Sequence, residues 1–361
     1  MDKVAILTWH YYNNFGSALQ TYALQEAVKE INPNVEVLNY QNKLYSGKPI
    51  MRVIQKIDGL YNIVCSLFNR KRSYKFYCFR KKYLRQTKLF QNEAELKKGV
   101  AKYKSVIVGS DQIWAPNVFN SIYMLDFANG KKTRKISYAA SIGLDTIPNE
   151  LSTVYHDLLS DFSFISVREN QGKKILKEKC SIDACVVLDP TLLIDIEKYK
   201  KIMSPVDLID DNYIFCYFLN ENNNYRKQVE DYAQKHGFKI FGFSTNPKDD
   251  HWLNNLSTLS PLEFLWMVNK AKAVFTDSYH GTVFSLLFHK VFFVFERFKN
   301  NDPICQNSRI AQLCYTFNIS DRILANKKCY SQCRDYDYDY FEQRLNVERR
   351  MSLDYLREAL K

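Results

Sequence analysis

The sequence predicts an α/β protein made of two successive halves, each built on a mainly parallel sheet. Three observations predict it. Short buried runs alternate with amphipathic stretches along most of the 361 residues. Several of those runs stop abruptly in polar groups, as strands do at the carboxyl edge of a parallel sheet. A polar segment, SPVDLIDDN at 204–212, separates two such series.

The opening reads strand (3–8), loop (WHYYNNFG), helix (17–30) and strand (35–40). Leu19, Ala23, Leu24, Ala27 and Ile31 give the helix one apolar face, so this is a β-α-β unit. SVIVGSDQIW supplies a strand at 105–108 ending in a polar turn, and KISYAASIG and SFISVREN each supply another. VVLDPTLL, 186–193, closes the half. The second half runs strand YIFCYFL, helix 225–236, strand KIFGFS, helix 261–269, strand AVFTD, helix 281–288 and strand VFFVF. The expected division is 1–203, 204–325 and a tail of 326–361 that packs on one half or the other. No repeat of fixed period is present.

The bulk numbers exclude several classes. An apolar share of 46% with 25% charged residues is that of a folded globular chain. The 25 Tyr, 24 Phe and 4 Trp suit a carbohydrate-binding surface and an aromatic core equally. MDKVAILTWH lacks the signature of a signal peptide. No apolar run reaches the roughly 18–20 residues of a membrane span, so a cytoplasmic location is expected. The nine cysteines are odd in number and scattered, and neither CSIDAC nor CYSQC has the second half of a zinc site. Reduced structural thiols and no bound metal are expected. DYDYDY at 335–340 contains Asp-x-Asp but sits in the tail, where it reads as a solvated acidic stretch.

Charge is concentrated. Between Lys43 and Lys104 stand 17 lysines and arginines against Asp58, Glu93 and Glu95, a larger excess than the +12 of the whole chain. Within this insertion an apolar stripe at helical spacing (50–68) precedes RKRSYKFYCFRKKYL. Two readings compete: a helical flap packed on its own domain, or a basic aromatic helix at a membrane surface. Direct nucleic-acid binding gains no motif.

FTDSYHGTVFSLLFHKVFFVF, 275–295, sets a polar cluster between two buried runs. A strand is expected to end near Asp277 and a helix to start near Gly281. A helix start offers N–H groups and partial positive charge to a phosphate. Ser278 caps or donates, Gly281 lets backbone approach a ligand, and His280 carries a proton near neutrality, its free pKa being about 6.5. The competing reading is a plain cap with a satisfied histidine.

DSYHGTVFS resembles the hallmark of the polysaccharide pyruvyl transferase family. Further stretches resemble that family in order: ILTWHYYNNFGSALQTYALQ, VIVGSDQIW, SYAASIG, SVREN, VLDPTLL and NSRI. The resemblance spans about 3–322. It implies two Rossmann-like domains facing across a cleft in the GT-B manner, with phosphoenolpyruvate as co-substrate, no cofactor, and a glycan or lipid-linked precursor as acceptor. It associates Arg168 with phosphoenolpyruvate, and beside it His280 and Asp111 are the catalytic candidates on the chemistry of their side chains. Donor binding falls to Ser278, Tyr279, Gly281, Thr282 and Arg309, and acceptor binding to Asn14, Gly16, Ser17, Ser110, Gln112 and Trp114. The basic insertion lies outside the motifs.

The chemistry asks for an acid, cations for phosphate and carboxylate, and a base for a sugar hydroxyl. His280 suits the first, and the fork of Arg168 suits an oxyanion unless an acid such as Glu169 ties it up. Asp111 is the candidate base, with Trp114 stacking on the sugar, unless the aspartate is an Asx turn and the indole is core. NNFGS lacks G-x-G-x-x-G, which argues against a dinucleotide. Arg309 is a cation candidate or a surface arginine. A lipid-linked acceptor would give the basic insertion a purpose, peripheral contact with the inner face of the membrane. The alternatives are a GT-B glycosyltransferase using a nucleotide-sugar and a non-catalytic polyanion-binding protein.

Overall fold

The computed structural model describes residues 2–40, 70–128, 133–207, 211–220, 223–298, 307–324 and 328–361. The chain forms two compact units, Met1–Ile194 with Arg350–Lys361, and Asp195–Arg349.

The first unit contains β1 (Val4–Leu7), α1 (Phe15–Ile31), β2 (Val35–Val37), α2 (Lys71–Tyr83), α3 (Glu93–Val100), β3 (Ser105–Val108), β4 (Arg134–Ser137), α4 (Asn149–Leu159), β5 (Ser166–Val167), α5 (Asn170–Cys180) and β6 (Cys185–Val186). Its sheet runs β2-β1-β3-β4. All pairs are parallel, with Ile6 opposite Val37, Leu7 opposite Val108 and Val108 opposite Ser137. Bridges Ile136–Phe164 and Ala140–Val167 carry the order on to β5, which pairs with β6. Strand order therefore reverses between β1 and β3. β1 and β3 are buried along their whole length, as strands covered on both faces must be.

The described part of the basic insertion packs on this unit. α2 buries Phe76 and Phe79, with Phe76 5.5 Å from Phe15 and Phe79 6.4 Å from Tyr22 between ring centres. The chain after α2 runs beside β2 through bridges Val37–Gln86 and Tyr40–Phe90. That is the flap geometry. The expected stripe at 50–68 lies outside the described residues.

The second unit contains α6 (Ile196–Ile202), β7 (Tyr213–Phe218), α7 (Asn223–His236), β8 (Lys239–Ser244), α8 (Pro261–Lys270), β9 (Ala273–Thr276), α9 (Tyr279–Leu287), β10 (Val291–Val294), α10 (Ser308–Phe317) and most of α11 (Tyr338–Leu360). Its sheet is also parallel, in the order β10-β9-β7-β8, so strand order reverses between β7 and β9. An aromatic core lies on one face, with Tyr225 stacked on Phe295 at 4.1 Å and Phe275 at 4.8 Å from Phe293.

Two local features differ from expectation. The units divide after Ile194, not after 203. Asp195 caps α6 by accepting from Glu197 N, and Tyr199 of that helix packs edge-on against Phe284 at 5.1 Å. Packing, not linker polarity, assigns the helix to the second unit. The tail is shared: Tyr338 and Phe341 pack on His289 and Phe317, whereas Leu188 N donates to Ser352 Oγ and Tyr355 Oη to Ser137 O. In DYDYDY the acids are exposed while Tyr336 and Tyr338 are half-buried, so the stretch is anchored rather than simply solvated.

Every described cysteine is a free thiol. Among the described residues no cluster of three or more His, Cys, Asp or Glu could hold a metal, and no helix is long and apolar enough to cross a membrane.

Candidate functional site

The carboxyl edge of each sheet gathers polar side chains where strand order reverses, the place at which open α/β sheets bind ligands. In the first unit, β1 ends in Thr8, β3 in Gly109-Ser110-Asp111, and α1 starts beside them. Asn14 caps α1 by accepting from Ser17 N at 3.1 Å. Ser17 Oγ donates to Asp111 Oδ2 at 2.6 Å, and Gln112 N donates to Asp111 Oδ1 at 2.9 Å. Asp111 adopts φ 70°, in the left-handed region, as an Asx-type turn allows. Thr8 Oγ1 donates to Ser110 O, and Ser110 N donates to the side chain of Gln20. Gly109 has φ 124°, and a Cβ there would lie 2.0 Å from Tyr138 O, so only glycine lets β3 end against β4 in this way.

A second layer of charge lies behind this pair. Asp189, beyond β6, accepts from Ser110 Oγ at 3.1 Å, from Arg168 Nη1 at 2.8 Å and from both the N–H and hydroxyl of Thr191. Arg168 and Asp189 are buried, and Arg168 Nε lies 3.8 Å from Glu169. Glu169 Oε1 in turn accepts from Ser141 Oγ, Ile142 N and Gly143 N. The competing ion-pair reading of Arg168 thus has its acid, and it is chiefly Asp189. Four strand ends are tied together by these contacts.

In the second unit, Ser278 caps α9 and its hydroxyl accepts from Gly281 N at 3.3 Å. The helix therefore starts at Tyr279, two residues before the expected Gly281, and His280 sits in its first turn. His280 is buried and edge-on to the Tyr279 ring at 5.1 Å. Asp277, just before the cap, accepts from Leu219 N at 2.8 Å and Asn220 N at 3.0 Å, joining the end of β9 to the end of β7. Burial pushes its carboxyl up to about 7, against the opposing pull of those N–H groups and of Arg297.

Contacts change three of the expected roles. A Cβ on Gly281 would lie 2.3 Å from Thr276 Oγ1, so this glycine serves the packing of α9 on β9 rather than a ligand's approach. Thr282 is fully buried and donates to Ser278 O, which makes it part of the helix. Trp114 is also fully buried: its indole N–H donates to Tyr123 O and its ring packs edge-on against Phe162. It is core, and offers no face to a sugar. Ser110 is buried in the Asp189 network, while Gln112 is half-buried against Gly143. Gly16 and Ser17 lie buried in the first turn of α1. Arg309 stands half-buried in the first turn of α10, a separate element.

Contacts bring together Asn14, Ser17, Ser110, Asp111, Gln112 and Arg168 in one unit, and Ser278, His280, Gly281 and Thr282 in the other. Asp189 is absent from the expected site although it follows the apolar run Val186–Leu188 directly, and Glu169 and Asp277 are expected only as an ion-pair partner and a strand end. Their position at strand ends was the available signal.

Two parallel α/β units with polar strand ends define a protein of the GT-B class. Solved structures agree on the fold. The UDP-N-acetylglucosamine 2-epimerase of Rickettsia bellii matches with a TM-score of 0.52 at 11% identity, over 99% of this chain and 97% of that one. The UDP-GlcNAc 2-epimerase of Neisseria meningitidis, bound to UDP-GlcNAc, matches with a TM-score of 0.50 at 13% identity, over 99% and 94%. No curated protein matches the chain. The model of the polysaccharide pyruvyl transferase family matches residues 14–299, and the chain belongs to that family.

Proposed function

We propose that this protein transfers the pyruvyl group of phosphoenolpyruvate to hydroxyls of a glycan or lipid-linked glycan precursor, closing a cyclic ketal. The observation that carries the reading is the corner at the β7/β9 reversal: a buried helix start, capped by Ser278, with His280 in its first turn. Helix starts favour anions through their N–H groups and partial positive charge. The donor is a small polyanion. Ser278, Tyr279 and His280 are its residues, with Arg309 as a further cation, while Gly281 and Thr282 shape the turn.

In the proposed reaction a sugar hydroxyl adds to C2 of the enolpyruvyl group and C3 takes a proton from His280. Phosphate leaves as a second hydroxyl attacks C2 and the ring closes. Asp111, held by Ser17, is the base for a hydroxyl, with Asn14, Gly16, Ser110 and Gln112 shaping its surroundings. Arg168 acts from behind this network, through its bond to Asp189. The outer face of the flap, where Lys71, Lys81, Lys82, Arg85 and Lys88 are exposed, is the part that would meet anionic lipid near the acceptor.

Thermal shift with phosphoenolpyruvate, set against a panel of nucleotide-sugars, tests the donor. Stabilisation by phosphoenolpyruvate that His280→Ala removes is the expected result. Stabilisation by a nucleotide-sugar alone overturns the proposal in favour of a glycosyltransferase. Sedimentation with phosphatidylserine vesicles tests the lipid contact: binding is expected at low salt and lost at high salt.

A further inference from the structure

With Trp114 in the core, the acceptor side has lost its expected stacking ring, yet aromatic surface remains beside the Ser17–Asp111 pair. Trp9, Tyr11 and Tyr12 follow β1 directly and are all half-buried. We propose that these three rings are the platform on which the acceptor lays one face of a neutral pyranose ring. The inference rests on the reading of the first unit as the acceptor side, and it names a binding surface for that side.

Placement comes first. Thr8, the residue before Trp9, reaches Ser110 through its hydroxyl, which sets the start of the loop beside the end of β3. Thr21 Oγ1 donates to Ser17 O at 2.7 Å and lies 3.5 Å from Trp9 O. The aromatic loop and the residue that holds Asp111 therefore meet the same threonine of α1.

Ring geometry comes second. Tyr11 and Tyr12 lie 4.4 Å apart with a 36° tilt, and Trp9 meets Tyr12 edge-on at 5.7 Å. Beneath them Trp9 meets the buried ring of Tyr123 at 6.1 Å. Burial raises the Tyr123 phenol far above its usual range, opposed by the neighbouring Tyr11 and Trp9. The hydroxyl stays neutral, and the floor of the cluster is uncharged.

The loop is also braced from outside. Arg72 Nη2 of α2 donates to Asn13 O at 2.8 Å, and Asn13 Nδ2 donates to Ser73 Oγ at 2.8 Å. The Arg72 guanidinium lies 4.7 Å from the centre of Phe15 and 5.3 Å from that of Phe76. The insertion thus has a purpose in its own unit: Arg72 is a positioning residue for the loop. Preorganisation of this kind lowers the ordering cost of binding. Half-buried rings on the loop that leads into α1, near the turn that holds Asp111, fit the C–H face of a neutral pyranose.

Titration of indole-labelled protein by NMR, without phosphoenolpyruvate, tests the inference. The probes are lactose, cellobiose and chitobiose at millimolar concentration, and the Trp9 resonance is assigned through Trp9→Phe. The Trp9 indole signal is expected to move with at least one disaccharide. Tyr12→Ala should weaken that binding about tenfold and Arg72→Ala about fivefold, whereas Tyr12→Phe stays within about twofold. Rescue by phenylalanine separates stacking from a structural effect. A Trp9 signal unmoved by all three sugars overturns the inference, as does wild-type affinity in folded Tyr12→Ala. Because no donor is present, sugar binding in a protein that never consumes phosphoenolpyruvate would keep the platform and sink the donor reading. Turnover with an acceptor KM unchanged in Trp9→Ala would do the reverse.

Discussion

At the β1/β3 reversal of the first unit, side chains bond to side chains: Ser17 to Asp111, and behind them Ser110 and Arg168 to Asp189. At the β7/β9 reversal of the second unit, backbone does most of that work. Leu219 and Asn220 donate their N–H groups to Asp277, and a helix start stands next to it. Both corners hold a capped helix start and a carboxylate, but the first adds a hydroxyl bonded to that carboxylate and the second adds a histidine in the first turn of its helix. Equivalent places in two similar sheets have been given different chemistry by a handful of residues.

That contrast can be broken in order of expected effect. His280→Ala should lower kcat by about 10²–10⁴-fold with little change in stability, read as phosphoenolpyruvate-dependent phosphate release. An unchanged rate would remove the second corner from the chemistry. Asp189→Asn leaves Arg168 with less than its full counter-charge in a buried place, and should cost about 3–5 kcal/mol in denaturant unfolding. A cost near zero would mean that the charged layer is not structural.

Asp277 sharpens the contrast through pH. Its folded pKa, about 7, lies above the ordinary 3.8, so the native state holds a proton that the unfolded chain releases. Its contribution to stability is full below about pH 4, falls as pH rises, and is gone above about pH 7. Asp277→Asn should flatten this part of the stability–pH curve, and an identical curve in the variant would refute the assignment. Gly281→Ala forces a methyl group towards Thr276 and should destabilise by about 1–3 kcal/mol. Ser278→Ala removes the cap and should cost about 1 kcal/mol, the smallest of the set, measurable as a shift in unfolding midpoint.

Much of the fold was legible because its signals are local. Buried β runs such as SVIV and AVFT announce themselves by composition, and all four observed residues of each are buried. Gly281 looks like the beginning of α9, yet the helix starts two residues earlier, at Tyr279. The governing pattern was Ser278 with its third following residue, the cap and the N–H that it accepts. The division at 203 failed for a different reason. SPVDLIDDN is polar, but unit membership is decided by what α6 packs against, and Phe284 lies 85 residues further on.

Sites were less legible than elements. Ser17, Ser110, Asp111 and Arg168 were identified from short motifs, but the bond between Ser17 and Asp111 spans 94 positions and that between Arg168 and Asp189 spans 21. Nothing within either motif states the partner. The two tryptophans make the same point: both follow a strand end, and only packing sends Trp114 inward while leaving Trp9 half-exposed.

By itself, the sequence determined the alternation of strands and helices, the polar ends of the strands and the family, because buried runs, caps and short motifs are written in neighbouring residues. Tertiary structure alone decided which polar ends pair, which rings face outward and where one unit gives way to the next. Those outcomes depend on contacts between segments far apart in the chain, and a buried charge or ring settles wherever a distant partner can satisfy it.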